Sequence, residues 1–279
     1  ADLDDDNHPE KPVWGTSDEN MIIAPCQGFE GDHYFRPIQM LGDWRPYEGG
    51  VLAIDPSGRG TDETAYCALK WGNGFLYVLD CGGVSGGFEE EALIQLAKIA
   101  KRWGIGTVLP ERNMGGGMFG ELLRPVLRNH APQSSVPAVE DLPFHTKQKE
   151  LRMIETLEPV MNMHRLVFNK TLIEKDLEVQ TDVGEEQAPL YRLFMQMTRL
   201  TKDRGALPHD DRIDALSMAV AWAQRALGND PIANAKARKT QEEEESIFGY
   251  LTHKPDFRQW GVGRLGHPPA PEKGSNWVT

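Results

Sequence analysis

Residues 51–55, Val-Leu-Ala-Ile-Asp, decide the fold, because a short apolar run that ends in an acid is typical of a buried strand. The Pro-Ser-Gly-Arg-Gly sequence at 56–60 does not continue a strand, so Asp55 is expected at the strand's end. Two more strands follow closely, which predicts three consecutive antiparallel strands. They are residues 64–71 and 75–81, joined by Gly72-Asn73-Gly74.

The chain beyond these strands alternates between helical and strand patterns. Apolar residues spaced three and four apart predict a helix at 88–103, and Ile-Gly-Thr-Val-Leu predicts a strand at 105–109. This strand ends at Pro110-Glu111, so an acid again stands at the end of a short strand. Residues 170–188 are polar and show no clear pattern. The other predicted elements are helices at 119–129, 147–161 and 190–200 and strands at 135–139 and 164–169.

The segment 209–216, His-Asp-Asp-Arg-Ile-Asp-Ala-Leu, begins a helix that is predicted to run to about Leu227. At about 100° per residue, Asp211 and Asp214 share one face of this helix. Acids in a first turn also offset the helix dipole and cap free N–H groups, which explains Asp210 best as a cap. The local pattern leaves a metal-binding pair and a solvated acidic face as alternatives for Asp211 and Asp214.

The order of elements predicts an α/β protein with a ribonuclease H-like fold, a mixed central sheet with three antiparallel strands followed by alternating helices and strands. If the first strand lies beside the fourth, Asp55 and Glu111 meet, and the last helix can add Asp211 and Asp214. Carboxylates without thiols select hard cations such as Mg²⁺ or Mn²⁺. Two ions about 3.5–4 Å apart would activate a water and stabilise the leaving oxygen in phosphodiester hydrolysis, with Asp55 as the bridging ligand.

Three stretches resemble the nuclease motifs of phage terminase large subunits, of the type found in short-tailed podoviruses. They are VLAIDPSGRGTDET at 51–64, VLPERNMG at 108–115 and RGALPHDDRIDAL at 204–216, with fourth similar segments at 157–161 and 164–167. The resemblance covers about residues 50–227. It implies a metal-dependent endonuclease that cuts concatemeric double-stranded viral DNA at the start and end of packaging.

The resemblance also implies ligands, partners and a location. Asp55, Glu111 and an Asp of the third motif would hold the metals, and the helical-face argument favours Asp211 with Asp214 beside it. The implied partners are double-stranded DNA, the portal, the small terminase subunit and a packaging ATPase domain, in the cytoplasm of the infected bacterial host. This chain has no Gly-Lys-Ser/Thr phosphate loop, so we expect the ATPase domain to be absent from it.

One histidine and several cationic residues are candidates for supporting roles at the site. His209 is predicted either to orient a ligand or attacking water, with Asp210 as possible support, or to be a cap-region histidine satisfied by backbone. Cations at the start of the helix at 147–161 oppose its dipole, so an anionic partner would explain them better than local stability does. The candidates for contacts with the DNA backbone are Lys147, Lys149, Arg152, Lys202 and Arg204.

The charge distribution divides the chain into three predicted regions. The net charge of −12 opposes nucleic-acid binding, but residues 1–46 hold 10 acids and 3 bases, 47–228 hold 25 and 20, and 229–279 hold 7 and 7. Four acids on two divalent cations would bring the middle region from −5 to about −1. We predict an irregular N-terminal arm at 1–46, with its first dozen residues solvated, a nuclease domain at 47–228, and a charged, aromatic-containing extension at 229–279.

Composition excludes some classes and leaves two alternative functions. No apolar run approaches the roughly 20 residues of a membrane span, so we expect no membrane association. Three cysteines without metal-type spacing indicate a reducing compartment. The alternatives are a junction-specific resolvase of the same fold, which would prefer a four-way junction to linear duplex, and a motor or portal docking module, which would depend on 229–279.

Overall fold

The computed structural model describes residues 1–15, 17–22, 28–57, 62–112, 117–130, 137–140, 148–178, 184 and 186–228. Its strands are β1 (Asn7–His8), β2 (Lys11–Val13), β3 (Met21–Ile22), β4 (Tyr34–Phe35), β5 (Gln39–Leu41), β6 (Arg45–Pro46), β7 (Gly49–Asp55), β8 (Thr64–Gly72), β9 (Phe75–Val84), β10 (Thr107–Pro110), β11 (Ala138–Val139) and β12 (Leu166–Phe168). Its α-helices are α1 (Glu90–Arg102), α2 (Met118–His130), α3 (Lys149–Asn162), α4 (Lys170–Leu177), α5 (Leu193–Arg199) and α6 (Asp211–Ala226).

The central sheet has six strands in the order β11-β10-β7-β8-β9-β12. β7, β8 and β9 pair antiparallel, while β10 pairs parallel with β7, which confirms both the three antiparallel strands and the placement of the first strand beside the fourth. Because β7 and β10 run in the same direction, their carboxyl ends lie side by side, and Asp55 and Glu111 are neighbours at that end of the sheet. The Glu111 N–H donates to the Ile54 carbonyl at 2.9 Å, which fixes this arrangement.

Helices cover both faces of the sheet. Side chains alternate between the faces of a strand, so Val51 and Ala53 enter the core under α3, α4, α5 and α6, whereas Leu52 and Ile54 enter the core under α1 and α2. The apolar run that predicts β7 is therefore buried on both sides. No helix among the described residues is long and apolar enough to cross a membrane.

One helix of the structure is not predicted, and some predicted elements have other bounds. α4 lies in the polar stretch for which no element is predicted; the Asn169 side chain accepts from the Thr171 N–H at its start, and only Leu172, Ile173 and Asp176 of this helix are buried. Its core face is too small to give a clear pattern in the sequence. α5 begins at Leu193, later than predicted, because 188–191 form a 3-10 helix. β12 is shorter than predicted.

The N-terminal arm contains short strand pairs where no periodicity is visible: β1 with β6, β2 with β5 and β3 with β4. His8 is 2% exposed and packs against Tyr47 and Tyr77. Lys70 donates from Nζ to the Asp5 carbonyl at 2.6 Å. The first dozen residues are thus not a solvated tail as predicted, because they pack against the sheet. The boundaries at 46 and 228 stay predictions, and 229–279 lies outside the described residues.

Asp176 joins α4 to α5 by capping. Its two carboxylate oxygens accept the N–H groups of Leu193 at 2.8 Å and Phe194 at 3.0 Å, and its side chain is fully buried. We expect Asp176→Ala to lower the free energy of unfolding by about 3 kcal/mol, because two hydrogen bonds to a buried charge are lost. Urea unfolding followed by circular dichroism measures this, with Glu174→Ala on the exposed side of α4 as control. A loss no larger than that of the control would contradict the capping role.

Candidate metal-binding active site

Three carboxylates lie close together at the carboxyl ends of β7 and β10. Asp55 closes β7, Glu111 follows β10 and Asp214 stands on α6; one oxygen of each lies within 4.8 Å of the others. Asp214 is 0% exposed and Asp55 is 9% exposed. α6 packs against β7 and β8, and its first turn brings Asp214 to the strand ends. The acids predicted to meet from separate segments are therefore brought together by the sheet topology.

Asp211 lies in a second group with Asp62 and His209. One ligand atom of each of these three residues lies within 4.8 Å of the others, and His209 Nδ1 is 3.7 Å from Asp62 Oδ1. The His209 ring stacks on Tyr191 with 4.0 Å between ring centroids. These contacts are with side chains, whereas the alternative prediction for His209 is a cap-region histidine satisfied by backbone. Asp62 is absent from the predicted site, although it lies in the first quoted motif at 51–64.

The structure therefore separates the two acids of the helical face. Asp214 is grouped with Asp55 and Glu111, whereas Asp211 is grouped with Asp62 and His209, so which of the two is the principal metal ligand stays a prediction. Asp211 is the first residue of α6 and is half-buried, while Asp214, three residues further along the helix, is fully buried.

The predicted cations Lys149 and Arg152 point into this acidic cluster. Lys149 Nζ lies 2.9 Å from Asp210 Oδ1, 3.2 Å from Asp214 Oδ2 and 3.8 Å from Asp55 Oδ2. Burial works to lower the Lys149 pKa, but these carboxylates raise it above its usual value, so the amine stays charged. The anionic partner that the cations at this helix start predict is thus found within the protein itself.

Arg152 holds the deepest acid of the site. Its Nη2 lies 2.6 Å and 2.9 Å from the two oxygens of Asp214, and its Nη1 is 3.9 Å from Glu111 Oε1. Asp210 occupies the N-cap position of α6, but its side chain makes no cap hydrogen bond and accepts from Lys149 instead. The prediction that Asp210 is a cap is therefore wrong for its side chain, because the nearby amine is the stronger donor.

Burial and mutual repulsion shift the titration of these carboxyl groups. Burial first, and then Asp214, raises the pKa of Asp55 well above its usual range; the same two causes raise the pKa of Glu111. Burial first, and then Asp62, raises the pKa of Asp211 to about 7. Each group is therefore ionised only at a cost, and a divalent cation between the oxygens would remove that cost. This donor set of oxygens, with one histidine nearby, fits Mg²⁺ or Mn²⁺.

The other predicted DNA contacts lie near the site or outside the described residues. Lys202 and Arg204 are exposed on the loop that precedes His209. This loop is fastened to α3, because Gln148 Nε2 donates to the Lys202 carbonyl at 2.9 Å and the Gly205 N–H donates to Glu150 at 2.7 Å. Lys147 lies outside the described residues.

Comparison with known proteins gives one family and one curated relative. Residues 54–166 match the family described as the ribonuclease H-like domain of the bacteriophage T7 terminase. The chain is 37% identical over 208 residues to the terminase large subunit of Enterobacteria phage T3, a match that covers 75% of this chain and 35% of the relative. The chain thus spans about a third of that relative's length. These matches confirm the resemblance that the three motifs indicate.

Solved structures of terminase nuclease domains are also similar. The nuclease domain of the large terminase subunit gp2 of bacterial virus Sf6 is 16% identical with a TM-score of 0.43, covering 63% of this chain and 90% of that chain. The manganese-soaked, inhibitor-bound human cytomegalovirus terminase nuclease domain is 15% identical with a TM-score of 0.43, covering 63% and 83%. The large terminase nuclease of thermophilic phage G20c is 17% identical with a TM-score of 0.37, covering 62% and 81%.

Proposed function

We infer that this chain, which carries a ribonuclease H-like domain of the T7-type terminase family, is a metal-dependent endonuclease that cuts double-stranded viral DNA during genome packaging. The observation that carries this inference is that one carboxylate oxygen each of Asp55, Glu111 and Asp214 lies within 4.8 Å of the others at the carboxyl ends of β7 and β10. Three carboxylates on three separate elements are costly to bury together, and that cost is explained if they hold cations.

Two divalent cations, Mg²⁺ or Mn²⁺, are the proposed cofactors. Asp55, Glu111 and Asp214 would hold one ion, and the neighbouring group of Asp62, His209 and Asp211 offers donors for a second. Bound ions would supply an activated water and stabilise the leaving oxygen of the scissile phosphodiester. The carboxylates are held on β7, β10 and α6, so their oxygens are positioned before DNA arrives.

Arg152 and Lys149 supply positive charge to the same place. The Lys149 side chain is 37% exposed, so its charged amine is suited to contact a DNA phosphate oxygen as well as the acids. Arg152 is only 14% exposed, and its buried Nε has no hydrogen-bond partner among the residues that the structure describes. Arg152 would therefore serve chiefly to neutralise the acids. Lys202 and Arg204, exposed on the fastened loop, would contact the DNA backbone without sequence choice.

The wider setting follows from the family. We propose double-stranded DNA as substrate, the portal, the small terminase subunit and a terminase ATPase domain as partners, and the cytoplasm of the infected host as the place of action. A nuclease of this kind needs affinity for any duplex, which phosphate contacts give.

Plasmid cleavage tests the proposed function directly. We expect the purified chain to nick and linearise supercoiled plasmid in Mn²⁺ and to be inactive in EDTA. A linear duplex and a four-way junction of matched sequence, assayed side by side, should be cut at similar rates. Marked preference for the junction would favour a resolvase, and no cleavage of either substrate under any divalent cation would refute the nuclease.

A substitution at Glu111 is the most conservative test of the three acids Asp55, Glu111 and Asp214, which we call the trio. We expect Glu111→Gln to lower the plasmid cleavage rate about a hundredfold, equivalent to about 2.7 kcal/mol, because the amide keeps one oxygen donor and loses the charge that holds a cation. The control is Glu140→Gln, since Glu140 follows the neighbouring parallel strand β11 and is exposed. Equal rates for Glu111→Gln and the wild type would remove Glu111 from the site.

A further inference from the structure

A buried ion pair lies directly behind the second group of donors. Arg212 Nε is 2.6 Å from Glu63 Oε1, and Arg212 Nη2 is 2.7 Å from Glu63 Oε2, so the guanidinium grips the carboxylate with two parallel hydrogen bonds. Arg212 is 5% exposed. The pair joins the start of β8 to α6, two elements that are far apart in the sequence.

The pair continues into the helical layer of the fold. Arg212 Nη1 lies 3.5 Å from Asp176 Oδ1, and Asp176 caps α5. The guanidinium is therefore held from behind by an acid that is itself fixed by backbone N–H groups. Arg212 therefore contacts Glu63 through one part of its guanidinium and Asp176 of α4 through another.

Each partner of the pair is the chain neighbour of a site acid. Asp62 directly precedes Glu63, and Asp211 directly precedes Arg212. A bond between Glu63 and Arg212 therefore fixes the separation of two backbone points, one behind each acid. Asp62 and Asp211 are like charges whose repulsion would drive them apart, and the pair opposes that separation.

A glycine on the next strand makes room for this arrangement. Gly83 of β9 lies opposite Ala65 of β8, and a methyl group built at Gly83 would lie 1.8 Å from Glu63 Oε2 and 2.0 Å from Glu63 Cδ. Any side chain at position 83 would displace the Glu63 carboxylate from Arg212. The absence of a side chain at this position is thus required by the ion pair.

We propose that Glu63 and Arg212 are a positioning pair that sets the distance between Asp62 and Asp211 and thereby the affinity of the second cation position. This rests on the proposed metal-dependent function and adds residues that touch neither the ion nor DNA. A buried ion pair adds little stability compared with apolar side chains of the same size, so its value here lies in geometry. Partners that hold metal ligands in place typically contribute 10–100-fold in metal affinity.

Calorimetric titration of the chain with Mn²⁺ tests the pair without relying on catalysis. We expect the wild type to bind two ions, and Glu63→Gln to weaken one of the two steps about tenfold while leaving the other unchanged. Gly83→Ala changes no charge, yet it should weaken the same step by a similar factor. In the double variant the two effects should not add, because both act through one carboxylate. The same variants should raise the Mn²⁺ concentration for half-maximal cleavage and leave the maximal rate nearly intact.

Matched controls separate positioning from general stability. Gly82→Ala alters the adjacent glycine of β9, where an added methyl group would have the Tyr66 hydroxyl as its nearest neighbour, at 3.2 Å. Arg102→Gln removes the exposed ion pair with Asp5. Both should bind Mn²⁺ like the wild type. Lower melting temperatures for Glu63→Gln and Gly83→Ala with unchanged Mn²⁺ isotherms would overturn the positioning role. If the wild type binds Mn²⁺ but does not cut DNA, the proposed nuclease function is refuted. The Mn²⁺ isotherms of the variants would still test the positioning role of Glu63 and Arg212.

Discussion

Asp214→Asn is expected to abolish Mn²⁺-dependent cleavage and also to destabilise the protein. Asp214 is the most deeply buried acid of the site, and both its oxygens are bound by Arg152. We expect the cleavage rate to fall at least about a thousandfold, or about 4 kcal/mol, because a charged ligand at the centre of the trio is lost. The free energy of unfolding in EDTA should fall by about 3 kcal/mol, because Arg152 keeps its charge in a buried place without its partner.

Two further variants make this result specific. Asp210→Asn also removes an anion from Lys149, but Asp210 is more exposed, so its effect on stability should be much smaller. Asp211→Asn tests the other assignment of the helical face. If Asp211→Asn abolished cleavage and Asp214→Asn left it intact, then the principal ligand would be Asp211, as the helical-face argument favours, and the trio would be misassigned.

The strands and their acids could be predicted because each carries its own local signal. β7 and β10 are short apolar runs, and a run of that length ends where its first charged residue stands. Asp55 and Glu111 are therefore predictable from the sequence, and the parallel pairing of the two strands turns two local signals into one site. α6 is predictable in the same way, from its apolar residues and its acidic first turn.

The assignment within α6 could not be predicted, because Asp211 and Asp214 are three residues apart on one face. Which of them reaches the strand ends depends on how α6 is rolled and tilted against the sheet, and tertiary packing alone determines this. Asp62 is not predicted for a related reason. It lies in a Gly-rich connection with no periodicity, and its place near Asp211 and His209 depends on tertiary packing.

The cations of α3 show a different limit. Their position at a helix start predicts an anionic partner, and DNA is one such partner. The structure shows that Lys149 and Arg152 contact the protein's own carboxylates. A charge pattern in the sequence gives the sign of the partner and cannot give its identity, because that depends on which element packs opposite.

Asp55→Asn should separate activity from stability. We expect cleavage to fall at least about a thousandfold, because Asp55 lies within 4.8 Å of Glu111 and Asp214 and is a proposed ligand of the ion that these three acids would hold. Metal binding by calorimetry should fall in parallel. Circular dichroism should show an unchanged fold, since asparagine has the same shape as aspartate.

The stability of Asp55→Asn in EDTA should rise, in contrast to Asp214→Asn. The pKa of Asp55 is raised by burial and by Asp214, so its ionised form is less stable in the folded protein than in the unfolded chain at neutral pH. An amide removes that cost, and the neighbouring carboxylates can accept from its N–H groups. We expect a gain of about 1 kcal/mol, or about 2–4 °C in melting temperature.

A drop in the melting temperature of Asp55→Asn in EDTA would show that the contact between Asp55 and Lys149, at 3.8 Å, outweighs the repulsion among the acids. A rise for Asp55→Asn together with a fall for Asp214→Asn would show that the two acids have opposite energetic roles. Asp214 is stabilised by Arg152 and contributes to the fold, whereas Asp55 is held on β7 at a cost. Such a cost is expected of a residue whose position is required for cation binding and not for folding.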